Sequence, residues 1–349
     1  MDKRLSVKLG ICLVVTVLAI YYPAIKAPLN PMDDRAIVSW LFNLDGNNLK
    51  DIFLNTTDYF YRPVLLMTFL ADKYLWGAEA SFMHLENVII HAANALLVYS
   101  IAAIVCCRLE HNSKWLPFAS ALLFVLHPVN TESVNWIAGR SDLLACLFVL
   151  LSCRSLLSGL ERKSYPLVVL SVCLLLPGTF SKETAVFFIP AALVIIVSFP
   201  FAVNQEDSGV MQRVVSRFGF ILPFVFIPLL YLVARAVMLF SRDTGVSMAL
   251  RFISGSDDIG KVIKTAMIGT GFYAKKLIMP WPLNFAISQV SEQYLWVGLI
   301  VLLFLVYCYF RMDLHGAMFI SVALLGFSAI LAMIIRPAWT PVAERYMYI

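Results

Sequence analysis

The chain has 349 residues, of which 60% are hydrophobic and only 14% charged, with a mean hydropathy of +0.81. A soluble globular domain is usually about a quarter charged, and here the apolar residues fall in long runs, so the composition excludes that class and points to an all-α, polytopic transmembrane bundle. The net charge of +5 says little as a sum; the placement of the charges is what informs, and nucleic acid is not an expected partner.

Seven cysteines occur, an odd number without a CxxC pair. They lie in or beside apolar runs, which suits small buried residues better than disulfides or a metal site. Runs near the necessary length of roughly 20 residues are expected at 8–25, 81–106, 115–128, 142–158, 165–181, 184–203, 217–240, 294–310 and 315–335. MDKRLSVK precedes the first run like a signal-peptide n-region, but no small-x-small cleavage site follows, so the run reads as an uncleaved anchor. With the amino terminus inside, CCRLEHNSK, SGLERKSY, NQEDSGVMQRVVSR and FRMDLH become inner loops, each with Lys or Arg.

The first outer loop, 26–80, holds two amphipathic stretches, DDRAIVSWLF and YRPVLLMTFLADKYLW, expected to lie along the surface. It also holds the adjacent acids Asp33 and Asp34, which either cap a helix beginning at Arg35 or do chemistry. Asn55-Thr56-Thr57 forms a sequon that matters only in a eukaryotic secretory pathway.

In the second run His84, Asn87, His91 and Asn94 share one helical face, which must turn inward for hydrogen bonds. HPVNTESVNWIAGRSDLL follows the third run and crowds His127, Glu132, Arg140 and Asp142 at the outer edge. Ser141 and Asp142 suit a helix cap; Arg140 does not, and either serves function or snorkels to lipid phosphate. In PGTFSKETA, Pro177 and Gly178 are expected to break the helix, Ser181 to cap the next one, and Glu183 to meet its dipole, with Lys182 left close to the membrane. Arg235 lies near the end of the seventh run and needs an inward anionic partner, either structural or functional.

The segment 261–280 is rich in lysine and ends in Pro-Trp-Pro, so it reads as an interfacial or re-entrant helix within an outer region 241–293. The tail, RPAWTPVAERYMYI, stops where another apolar stretch begins, so the chain, a single transmembrane domain over 1–349, is expected to continue beyond it. Outer cations at Arg62, Arg140, Lys182 and Arg235 suit a lipid-borne phosphate, and a neighbouring carboxylate can accept a proton from an attacking hydroxyl.

DDRAI, YRPVLLMTF, HLENVIIHAANALLV, HPVNTESVNWIAGRSDLLACL, SKETA, KKLIMPWPLNFAIS and VAERYMY, in this order, resemble the transmembrane and tetratricopeptide-repeat O-mannosyltransferases, within the GT-C class of membrane glycosyltransferases. The repeats themselves are missing. The resemblance implies transfer of a sugar, mannose by precedent, from a polyprenyl- or dolichyl-phosphate donor to a protein or glycan hydroxyl, with inversion, on the periplasmic or lumenal face. It makes Asp34 or Asp33 the base, or else holders of a divalent cation such as Mg or Mn. Arg62, Arg140, Arg235, Arg345 and Lys182 become phosphate ligands. His127 and Glu132 order the outer loop, with Asp142, Glu183, His84 and His91 in support. A bacterial inner membrane is the first expectation and the endoplasmic reticulum the second; a flippase for lipid-linked sugar is the competing function.

Overall fold

The computed structural model describes residues 3–43, 61–111, 113–199, 217–226, 259–284, 289–311, 314–335 and 342–348, together with positions 233 and 287. Among these residues the protein is helical throughout, with one isolated bridge between Ile287 and Val342. Arg235, the glycosylation sequon and most of the expected seventh run lie outside the described residues.

The amino-terminal half is built from α1 (Lys3–Ile25), α2 (Asp34–Asn43), α3 (Pro63–Trp76), α4 (Ala80–Arg108), α5 (Leu116–Leu126), α6 (Asn130–Asn135), α7 (Arg140–Glu161), α8 (Tyr165–Ser181) and α9 (Phe188–Ser198). After them come α10 (Ile259–Ile278), α11 (Tyr294–Arg311) and α12 (Leu314–Ile335). Four described helices are long and apolar enough to cross a membrane: Arg4–Ile25, Ala80–Arg108, Ile137–Glu161 and Tyr294–Arg311. Four more apolar helices are shorter.

Exposure separates the middle of this membrane bundle from its rim. In the third of the long segments 61% of the most apolar window is buried, against 11% in the fourth, so α7 is central and α11 peripheral. The rim helices turn large apolar side chains outward, including Val7, Ile11 and Val15 on α1 and Ile300 and Phe310 on α11. In water such a surface would be a liability; in hydrocarbon it is the required solvent-facing composition. Inside, one cluster joins α7, α8 and α9 through Leu156, Val168 and Ile196, and another joins α1, α4 and α5 through Leu13, Val88 and Val125.

One sequence expectation needs correction here. Pro177 and Gly178 do not end a helix: α8 runs on to Ser181 with Pro177 inside it. Gly178 serves packing instead, since an added Cβ would meet the Phe148 Cβ at 3.0 Å. The lysine-rich segment 261–280, read as interfacial or re-entrant, is not among the described helices long and apolar enough to cross a membrane. It forms α10, which packs lengthwise and antiparallel on α11, with Gly271 against Tyr294 and Gly298 against Met267. A Cβ at Gly271 would come within 2.0 Å of the Tyr294 carbonyl oxygen, so glycine is what permits the approach.

The polar stripe of α4 finds partners across helices. Asn87 donates to the Trp136 carbonyl (2.9 Å) and Asn94 to that of Leu143 (3.1 Å). His91 Nδ1 meets the Tyr348 hydroxyl at 2.5 Å, which Asn94 also reaches at 3.3 Å. His84 is buried without a hydrogen-bond partner among the described residues. The stripe is an interhelical seam that also holds the chain's last described residue.

Candidate active site

At one end of the bundle the last residues of α4 and α7 are joined by Arg108 and Glu161 at 2.8 Å. The residues singled out above collect at the opposite end, where three loops and the tail meet. Arg62 precedes Pro63, which disfavours a helical Arg62 and starts α3 at the first position where proline is tolerated. Its guanidinium forks onto Glu183, with Nη2 to Oε1 at 2.7 Å and Nε to Oε2 at 3.1 Å. Lys182 breaks out of α8 in an extended conformation and reaches Asp142, on the first turn of α7, at 2.5 Å. Arg345, in the short 3-10 turn Glu344–Met347, is gripped by Glu132 twice: through its main-chain N–H at 3.0 Å and through Nη1 at 2.5 Å.

Tyr346 gathers these pairs. The Lys182 ammonium lies 5.3 Å from its ring centre and the Arg345 guanidinium 5.2 Å, while the other face of interest to Arg345 is Trp136, at 4.5 Å. Three cations are thus held close together against Asp142, Glu132 and Glu183. Burial, aided by repulsion from Arg62, lowers the Lys182 pKa against the pull of Asp142. Burial also works against the Arg62 charge, but Glu183 outweighs it and the pKa rises. Glu132 is pushed up by burial, in spite of Arg345. Such opposed shifts mark a crowded, partly buried ionic site, the kind of place where functional groups cluster.

Arg140 does not belong to this open group. It is fully buried, donating to Asp72 (2.7 Å), Asn87 (3.0 Å) and the Met83 carbonyl (2.9 Å), with Glu86 at 3.1 Å and the Phe69 ring 4.9 Å away. A guanidinium so enclosed locks α3, α4 and α7 together and has no face left for a lipid phosphate. Its partner Asp72 went unread in the sequence, although an acid inside FLADKY, on the face that carries the buried Phe69, was its signal.

The acid pair divides in the same way. Asp34 is fully buried and accepts main-chain N–H groups from Asn30 (3.0 Å) and Ala138 (3.1 Å), tying the first outer loop to the turn before α7. Burial raises its pKa, with the two N–H donors opposing. Asp33 is exposed. The doublet does not fit a divalent cation, because N–H donors face both Asp34 oxygens, and no group of three or more His, Cys, Asp or Glu suited to a metal occurs among the described residues.

Other residues settle into narrower tasks. Asp142 lies inside the first turn of α7 and bonds Lys182, and Ser181 ends α8 with its hydroxyl on the Pro177 carbonyl, so neither caps a helix. His127 reaches the Leu277 carbonyl at 3.1 Å, linking the end of α5 to the end of α10. Lys276, at that same end of α10, pairs with Glu344, which also accepts from the Asn284 N–H at 3.0 Å. Lys276, Glu344, Tyr346 and Tyr348 were not singled out in the sequence; the resemblance to VAERYMY was the only pointer to the last three.

Fold and cluster together define a multi-helix membrane protein with an ionic site at one end of its bundle. The chain is similar to human protein O-mannosyl-transferase TMTC1, with 36% identity over 170 residues, covering 46% of this chain and 19% of that protein. Human protein O-mannosyl-transferase TMTC4 is 35% identical over 122 residues, 32% of this chain and 16% of that protein. The mouse protein O-mannosyl-transferase TMTC3 is 32% identical over 132 residues, covering 36% and 13%. The chain thus spans less than a fifth of the length of each of these relatives. No family model matches the chain, and no solved structure matches it.

Proposed function

We propose that this protein is a glycosyltransferase that moves mannose from a polyprenyl- or dolichyl-phosphate donor to a protein hydroxyl at the non-cytoplasmic membrane face, with GT-C-like architecture. The observation that carries the reading is the gathering of Arg62, Lys182 and Arg345 around Tyr346 at one end of the bundle. The names of the relatives supply the sugar and the acceptor class. Those relatives are animal proteins, so the endoplasmic reticulum now stands before the bacterial inner membrane as the expected location.

In this mechanism the acceptor oxygen attacks the anomeric carbon on the side opposite the phosphate, and the configuration inverts. The bond between that carbon and the phosphate oxygen breaks, its electron pair stays on the phosphate, and the three cations stabilise the charge that develops there. The hydroxyl proton passes to a carboxylate of the first outer loop. Asp33 is the base by its exposure, and Asp34 holds the loop in place. A monophosphate leaving group stabilised by guanidinium and ammonium groups needs no metal ion, and no step is assigned to one. The purified protein with mannosyl-phosphoryl-dolichol and a threonine peptide is expected to release dolichyl phosphate and a mannosylated peptide. Absence of both products under conditions where the donor binds would overturn the reading.

A further inference from the structure

A cleft of about 260 Å³ opens at the same end of the bundle, beside the ionic cluster. Its walls come from loops and short turns: Asn30 from the first outer loop, Glu132, Asn135 and Trp136 from the segment before α7, and Leu283 and Asn284 after α10. Two of these residues tie it to the proposed chemistry. Asn30 is the residue whose N–H holds Asp34, and Trp136 carries the Arg345 guanidinium on its ring. The cleft therefore adjoins residues that hold Asp34 and Arg345, although neither of these two side chains lines it.

We infer that this cleft binds an extended peptide segment, with the side-chain amides of Asn135 and Asn284 pairing with the main chain of that peptide. The identification of the peptide as the acceptor rests on the proposed transferase reading; the binding itself does not. Ligand pockets for drug-sized molecules are usually about 300–1,000 Å³, so this one has room for one side chain with its flanking backbone and not for an oligosaccharide. Its walls include Pro128, Trp136 and Leu283, which suit an apolar or threonine side chain and would leave many hydroxyls of a sugar unpaired. A peptide main chain presents an N–H donor and a carbonyl acceptor in alternation, and a carboxamide offers both functions at once. Asn135 and Asn284 are exposed, and Asn284 engages Glu344 through its main-chain N–H, not its side chain. A prenyl chain is the poorer occupant, because none of these residues lies on a lipid-facing helix.

The test uses the full chain in nanodiscs without donor, and as probe an N-acetylated, C-amidated hexapeptide of alternating alanine and threonine. Binding is followed by the change in tryptophan fluorescence, and the site is mapped by photo-cross-linking from a benzophenone placed at Leu283. Peptide binding is expected to weaken about three- to tenfold in Asn135→Ala and in Asn284→Ala, the loss of one hydrogen bond each. It should weaken further for the main-chain N-methylated peptide, and the cross-link should form on the peptide. Unchanged affinity in both variants, or displacement of the peptide by methyl mannoside, would overturn the assignment. Peptide binding with these losses but without any transfer on adding donor keeps the peptide site and refutes only the transferase reading.

Discussion

Two arginine sites within one end of the molecule behave as opposites. Arg140 and Asp72 are wholly inaccessible, and every direction around the guanidinium is taken by a carboxylate, an amide, a carbonyl or a phenyl ring. Arg62 and Glu183 keep 17% and 32% of their side-chain surfaces exposed, and Arg345 keeps 17%, although their pairings are as short. Distance alone does not tell a brace from a binding site. What differs is exposure, none for the closed pair against part of the side-chain surface for the open ones, and whether other cations stand close by.

The largest effect is expected from breaking the closed site. Arg140→Ala strands Asp72 as a buried charge and should lower stability by about 3–5 kcal/mol, read as loss of folded protein in detergent melting. Asp72→Ala should do nearly the same, whereas the double variant recovers part of the loss. Substitutions at the open site should leave folding largely intact and act on transfer. Asp33→Asn is expected to slow it about 10²- to 10⁴-fold by removing the base, with little change in melting temperature. Asp34→Ala should instead cost about 1.5–3 kcal/mol of stability through its two hydrogen bonds to charge. A variant pair with the reverse pattern would exchange the roles assigned to the two aspartates.

Single alanine substitutions at Arg62 and Arg345 come next, with losses of about 10²–10³ in turnover if each contributes as an electrostatic donor to the leaving group. Lys182 adds a pH signature. Its pKa is lowered, so affinity for an anion should fall on the alkaline side before the ordinary lysine range near 10.5 is reached. Lys182→Arg should move that fall upward, since a guanidinium stays protonated. The stability term runs the other way. Between the lowered folded value and 10.5 the unfolded chain binds more protons than the folded one, so this residue contributes stability that grows as pH rises through that window.

The helices were largely legible because a membrane demands long apolar runs. The runs at 81–106 and 142–158 differ by a few residues from Ala80–Arg108 and Arg140–Glu161, and the run at 165–181 coincides with Tyr165–Ser181. The stripe of α4 was legible for the same reason, since four polar residues on one face of an apolar helix must meet partners. The pairings were not legible. Arg62 and Glu183 are 121 residues apart, and Arg345 and Glu132 are 213 apart, and nothing local distinguishes these arginines from Arg140. The sequence also left Lys182 as one outer cation among several, although its escape from α8 places it at the centre of the cluster, and it overlooked Tyr346, whose ring has no charge to draw notice. The lysines of α10 sit at both of its ends, Lys264 pairing with Glu292 and Lys276 with Glu344, and Gly271 between them packs on α11.

The most direct test of the open cluster is equilibrium binding of dolichyl phosphate to the protein in nanodiscs, for the wild type and for the combined Arg62→Ala, Lys182→Ala, Arg345→Ala variant. Arg108→Ala, at the opposite end of the bundle, serves as the control. Affinity should fall at least about 100-fold in the triple variant, a loss of roughly 2.8 kcal/mol at about 1.4 kcal/mol per decade, and stay unchanged in Arg108→Ala. Equal affinity in a folded triple variant would contradict the account, whatever the protein transfers.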